Sequence, residues 1–222
     1  VHSGGASGHV PSSFRIARQL LSKLEDENTG EIKLEELHTN IPKHRISEAR
    51  VFVDVLGEEV IHEFPWKDKT RPSTEDLLEG VLRRTWRPAL SVVGANGLPP
   101  TENAGNVLRP YTKLQLSIRI PPMVDPLLAQ KAVIKHLTEN VPYSATVVVE
   151  SEEAAAGWSA PKTTDWLVRA IEKASINFFE ERDCSMSEGG TIPFMAMLGK
   201  KYPDAQFVIT GVLGPNSNAH GP

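Results

Sequence analysis

Two histidines stand among small, flexible residues. His2 lies in VHSGG near the start of the chain, and His220 in GPNSNAHGP at its end. Runs of Gly, Pro, Asn and Ser present side chains rather than bury them, so His220 is a candidate metal ligand or catalytic base, and His2 sits at a loop–strand junction. One histidine makes neither a metal site nor a catalytic pair, so partners are needed. Asn106 in AGNVLRP sits at a loop–strand junction, and Arg119 in LSIRIPP sits on the polar face of a strand. In SEGGTIPF, Gly189 and Gly190 precede Thr191 and Pro193. Such a glycine turn entering a helix exposes N–H groups and can hold an anion; the same residues also make a plain capped helix with a flexible entry. Taken singly, Arg119 reads as a solvated strand residue and His2 as a terminal one.

Other stretches carry less. In EDENTGEIKLEE, Gly30 and Glu36 fall at positions six and twelve of a calcium loop, but Glu25 and Thr29 stand where short carboxylates or amides are wanted. The segment therefore reads as a charged turn from helix to strand. SGGASG lacks both the lysine of a nucleotide-phosphate loop and the spacing of a dinucleotide motif. Trp66, Trp86, Trp158 and Trp166 have no basic interleaving and read as packing residues, not base-stacking platforms.

The elements that must position these groups follow from periodicity. Pro11 to Leu24 has a helical stripe of Phe14, Ala17, Leu20, Leu21 and Leu24, and DENTGEI then turns into a short strand. Ser47 to Glu59 predicts a second helix and Ser73 to Arg84 a third, capped by Ser73 or Thr74. Strands are expected over Pro88 to Ala95, over TKLQLSIRIP with Leu114, Leu116, Ile118 and Ile120 on one face, and over Tyr143 to Glu150; a helix over Pro126 to Asn140 lies between the last two. The order predicts an α+β fold, an antiparallel sheet with helices on one face. Composition shifts at SEEAAAGWSAPKT, which places a boundary near residue 150. Beyond it come helices over Thr163 to Phe178 and from Thr191, then a buried strand, AQFVITGVL. That is too little to bury its own apolar faces, so the segment reads as the edge of a larger α/β domain.

The chain has 222 residues and a formal net charge of −4, which argues against nucleic acid or an anionic membrane as main partner. No apolar run is long enough for a transmembrane helix. The single cysteine, Cys184, excludes an internal disulfide framework and fits a reducing, cytoplasmic compartment. The chain opens on Val1 with the expected tail of a strand, so it reads as a piece of a longer protein.

Taken together, VHSG with its glycine run, AGNVLRP, LSIRIPP, SEGGTIPF and GPNSNAHGP resemble the co-catalytic zinc peptidases of metallopeptidase family 20, nearest to its carnosinase-type dipeptidase branch. The resemblance implies a ferredoxin-like two-layer lid over residues 1–150, with a long insertion ahead of AGNVLRP, and a catalytic-domain remnant over 151–222. It implies that His220 is a ligand in a two-zinc site whose other ligands and general base lie in a missing N-terminal segment. His2 would match the lid histidine that reaches a neighbouring subunit's active site and stabilises the developing oxyanion. Asn106 and Arg119 would hold the substrate, Arg119 on a terminal carboxylate, and Gly189, Gly190 and Thr191 would meet the same carboxylate. The parent enzyme would hydrolyse dipeptides or short peptides as a homodimer joined through the lid, and this piece alone would be inactive. Two other readings stay open: an N-acyl amino acid deacylase, and a non-catalytic dimerisation or binding module.

Overall fold

The computed structural model describes residues 1–188 and 193–211. These fall into two compact units, one built on Val1–Ser159 with the described part of Cys184–Ala196, the other on Ala160–Asp183 with residues 197–211.

The first unit is α+β. After a single helical turn, α1 (Ser3–Ala6), comes α2 (Ser13–Leu24), started by the Ser12 hydroxyl, which accepts the Arg15 N–H at 3.2 Å. Its buried stripe is Ile16, Leu20 and Leu24, while Phe14, counted in the expected stripe, is exposed. The turn after α2 returns as an antiparallel bridge between Glu25 and Ile32. Asp26 shapes that turn by accepting the Asn28 and Thr29 N–H groups, each at 2.9 Å. The Thr29 and Asn28 amides hold its carboxyl below the usual carboxylate range. The Asp26 carboxylate is thus engaged by backbone, as a charged turn requires.

Strands β1 (Ala89–Asn96) and β2 (Lys113–Arg119) form an antiparallel pair in which Leu90 faces Ile118 and Ala89 faces Arg119. A bulge between Val92 and Gly94 shifts the register. Leu90, Leu116, Ile118 and Ile120 pack on the cluster formed by Leu20, Leu24, Ile32, Leu34, Leu37 and the buried residues of α6 (Pro126–Thr138). The sequence anticipates α6 closely: Asp125 accepts the Leu127 and Leu128 N–H groups, and Pro126 occupies the first turn, where no donor is needed.

The expected third strand differs. Residues 142–144 make a 3-10 turn, with Tyr143 and Ser144 at φ of 56° and 52°. Residues 145–150 then alternate in burial, with Val147 and Val149 on the core, but join no ladder among the described residues. The left-handed turn delivers the chain extended yet out of pairing position. Lys113 of β2 reaches Glu150 at 2.8 Å, and that contact lowers the Glu150 carboxyl below its usual range.

Residues 43–87 build a separate helical cluster. Helices α3 (Lys43–Leu56), α4 (Glu59–His62) and α5 (Leu77–Thr85) enclose Ala49, Phe52, Val60, Val81, Leu82 and Trp86. The expected second helix is broken in two by Gly57, whose φ of 55° ends α3. The cap of α5 is Asp76, not Ser73 or Thr74; it accepts the Glu79 N–H at 3.0 Å, with an acid three residues on as in a capping box.

In the second unit, α7 (Asp165–Phe179) ends at Glu180 in the left-handed region, and the Thr164 N–H donates to Gln206 at 2.8 Å. Helix α8 (Pro193–Lys201) follows. The expected buried strand is not found over its described part, residues 205–211: no ladder forms, and Val208 and Ile209 are exposed. No other strand of this unit is present among the described residues to pair with it. No described helix is long and apolar enough to cross a membrane.

The helical cluster is tied to the Asp26 turn by arginines. Arg87 clasps Glu79 through two bonds of 2.6 and 2.9 Å, and Arg83 joins Glu79, Glu31 and the Thr29 carbonyl. The Arg87 guanidinium holds the Glu79 carboxyl below its ordinary range, partial burial opposing and Arg83 assisting. A folded value below the unfolded one stabilises fully above the ordinary carboxylate range and is lost as pH falls through the lowered value. Glu79→Gln is therefore expected to cost about 1 kcal/mol at pH 7, a charge-assisted bond discounted for partial exposure. The gap to the parent should narrow in paired thermal melts as pH falls below the ordinary carboxylate range; a gap of constant size across that range would locate its source elsewhere.

Candidate functional site at the β1–β2 connection

Residues 97–112 join β1 to β2, and this connection carries Asn106. It closes at Gly97, where φ is +99° and a Cβ would stand 2.4 Å from the Tyr111 carbonyl oxygen. Only glycine accepts that backbone and that approach. Arg109 Nε donates to the Gly97 carbonyl at 3.1 Å. Ser13, at the first turn of α2, donates to the Arg109 carbonyl at 3.2 Å and shares a 2.9 Å hydroxyl bond with Thr112. The connection is thus fastened both to itself and to the helix beneath.

The start of the chain is laid along it. His2 bridges Val107 in antiparallel fashion. The Ser3 N–H donates to the Asn106 carbonyl at 2.8 Å, and the Leu108 N–H to the Val1 carbonyl at 2.9 Å. His2 and Asn106, more than one hundred residues apart in sequence, become neighbours. Both are exposed. The His2 ring turns back on its own backbone: Nδ1 accepts the Gly4 N–H at 3.0 Å. Among the described residues no hydrogen bond engages the Asn106 amide group; the imidazole and the amide are each exposed, on backbone stretches laid side by side. Such a pair can donate to and accept from a carbonyl or carboxylate.

Arg119 stands apart from this pair. It is the last residue of β2, exposed, at the end of the ladder remote from Asn96 and Lys113. Six strand steps separate Lys113 from Arg119, roughly 20 Å. Among the described residues no acid pairs with its guanidinium. Just beyond it the chain is tightly packed: Pro121 is fully buried, and a Cβ on Gly157 would fall 2.7 Å from the Pro122 Cα. Arg119 is thereby held on a rigid edge.

Gly189, Gly190, Thr191 and His220 lie outside the described residues. Among the described residues no group of three or more His, Cys, Asp or Glu side chains could hold a metal ion. Sequence reasoning overlooked Gly4, Gly97, Ser13 and Arg109, which position the pair. The glycine run after His2 was the visible signal for Gly4; nothing local marks Ser13 or Arg109, whose partners are distant in sequence.

This mixed α+β architecture with its small antiparallel sheet is consistent with a peptidase dimerisation domain. Residues 1–144 match the family model described as peptidase dimerisation domain. The chain belongs to metallopeptidase family 20, through the dimerisation domain that this model describes. It is 27% identical over 230 aligned residues to the cysteinylglycine-S-conjugate dipeptidase of Corynebacterium striatum, a match covering 100% of this chain and 47% of that protein. Its fold is similar to human carnosine dipeptidase 1, with TM-score 0.66, 19% identity, and coverage of 90% of this chain and 42% of that one. A metallo-carboxypeptidase of Sulfolobus solfataricus gives TM-score 0.64 at 14% identity, covering 93% and 46% of the respective chains. The chain spans less than half the length of these relatives.

Gly97→Ala combines a left-handed backbone with a collision against Tyr111, and is expected to destabilise by about 2 kcal/mol. Amide exchange should accelerate most at Ser3 and Leu108, the donors that bind the chain start to the connection. Uniform acceleration across the core instead would mean that Gly97 serves the fold generally and not this loop.

Proposed function

We propose that the chain is the lid and part of the catalytic domain of a zinc-dependent peptidase that cleaves dipeptides or short peptides with a free carboxylate. The observation that carries this reading is the bridge from His2 to Val107, which lays the exposed His2 alongside the stretch that carries the exposed Asn106. The similarity to a cysteinylglycine-S-conjugate dipeptidase supports a dipeptide-sized substrate. The antiparallel pair with helices α2 and α6 on one face is read as the core of a ferredoxin-like sandwich, residues 1–150, with the helical cluster of residues 43–87 as its insertion. Residues 151–222 are read as catalytic-domain sequence.

In this reading His2 donates from Nε2 to the oxyanion that forms when a scissile carbonyl is attacked. Asn106 orients the same end of the substrate. Arg119 clamps a terminal carboxylate through paired N–H groups, and the loop of Gly189, Gly190 and Thr191 meets that carboxylate. Zinc, when bound, would supply an activated water; His220 is the ligand this chain would contribute, the remaining ligands and the base coming from elsewhere in the whole protein. The partner is a second copy, joined through the lid. The outer edge of β1, unpaired among the described residues and with Val92 and Val93 exposed, supports that, because an unpaired strand edge is a template for another.

The test uses the whole protein and the 222-residue chain side by side. In the whole enzyme, His2→Gln should lower kcat about a hundredfold with little change in KM, the cost of one oxyanion donor. Arg119→Lys should chiefly raise KM for dipeptides and spare substrates with an amidated C terminus. The 222-residue chain should bind zinc weakly in calorimetric titration and turn over no dipeptide. Tight stoichiometric zinc binding with measurable turnover would overturn the assignment of roles, and preference for N-acyl amino acids over dipeptides would favour the deacylase reading.

A further inference from the structure

Gly4 makes two contacts with the His2 ring. Its N–H donates to Nδ1 at 3.0 Å. A Cβ at this position would stand 3.1 Å from Nδ1 and 3.2 Å from Cε1, closer than carbon normally approaches. The next residue, Gly5, is a built-in contrast: it belongs to the same turn of α1, and a Cβ there would meet nothing within 4 Å. Neither glycine has the positive φ that would exclude a side chain.

We infer that Gly4 is a positioning residue that fixes the tautomer and direction of His2; this rests on the reading of His2 as an oxyanion donor. A neutral imidazole carries one hydrogen. If Nδ1 accepts the Gly4 N–H, it must present its lone pair there, and the hydrogen is on Nε2. The ring lies against the Gly4 backbone, so Nε2–H is directed away from the chain toward solvent and any bound ligand. The opposite tautomer would set two N–H groups against each other and leave Nε2 an acceptor, unable to stabilise negative charge. The His2–Val107 bridge and the Ser3–Asn106 bond hold the backbone on either side, so the ring is the only part left to be fixed. Gly4 fixes it by donating from behind and by having no side chain in the way.

The paired variants Gly4→Ala and Gly5→Ala separate this from a general need for glycine. Alanine is favoured over glycine in a helical turn, so both variants should fold, which thermal melts would verify. Imidazole nitrogen shifts are read by NMR on the isotopically labelled 222-residue chain at alkaline pH, with His2→Gln to assign the signals. In the parent chain His2 should show a bare Nδ1 and a protonated Nε2, and the Gly4 amide should be protected from exchange. Gly4→Ala should move His2 toward a mixed tautomer and speed exchange at residue 4 about tenfold; Gly5→Ala should change neither. A protonated Nδ1 in the parent, or identical behaviour of the two variants, would overturn the inference. In the whole enzyme Gly4→Ala should lower kcat about tenfold at constant KM, with Gly5→Ala within about twofold of the parent. Loss of turnover in His2→Gln tests the oxyanion role itself: if that variant keeps full activity while the tautomer contrast persists, the role falls and the positioning stands.

Discussion

The arrangement of this molecule depends on closing the long connection between β1 and β2. A loop of this length loses much conformational freedom when fixed, and it has no helix or strand of its own beyond a short 3-10 turn, Thr101–Asn103. Four tethers offset that loss: the glycine turn at Gly97, Arg109 on the Gly97 carbonyl, Ser13 on the Arg109 carbonyl and Thr112, and the start of the chain laid along Asn106 to Leu108. Each bond alone contributes on the order of 1 kcal/mol, but they share residues, so losing one loosens the next. The same tethers that order the loop also bring His2 to Asn106. Positioning the pair and fixing the loop are one event.

The two apolar clusters divide the remaining work. The first packs one face of the β pair on α2 and α6 and makes the platform rigid. The second encloses itself within residues 43–87 and reaches the platform through Arg83 and its bonds to Glu31 and Thr29. Polar bonds of this kind set orientation without requiring continuous packing. They attach the helical cluster to the Asp26 turn while leaving the sheet and its connection untouched.

Legibility in the sequence followed the range of the interactions. Caps with a nearby acceptor, as at Ser12 and Asp125, and the alternation of Leu116, Ile118 and Ile120 were visible because a few adjacent residues decide them. Boundaries failed where two local signals compete: Asp76 outbid Ser73 and Thr74 as the α5 cap because a carboxylate accepts more strongly and Glu79 stands three residues on. Residues 145–150 have the composition and burial of a strand but lack a partner in reach, because pairing depends on where a left-handed turn at Tyr143 and Ser144 sends the chain. His2, Asn106 and Arg119 were found as residue types in motifs. The stretches that carry the first two are joined by the bridge of His2 to Val107, and the third stands at the far end of the β1–β2 ladder; both are long-range features that no local pattern encodes.

That separation constrains how the proposed chemistry is assembled. A dipeptide extends about 7 Å between its termini, whereas the two ends of β2 lie about 20 Å apart. A carboxylate clamped by Arg119 and a scissile carbonyl reached by His2 therefore demand more span than one such substrate has, unless the two side chains come from different copies. In a symmetric pair of lids the same patch is used twice, and each copy offers its His2 end to the neighbour while keeping its Arg119 end. On this reading dimerisation completes the site as well as stabilising the fold. The imidazole would then arrive across an interface with its hydrogen already on the outward nitrogen, so something behind the ring must fix it. Its own chain does that, through the N–H of Gly4 at 3.0 Å.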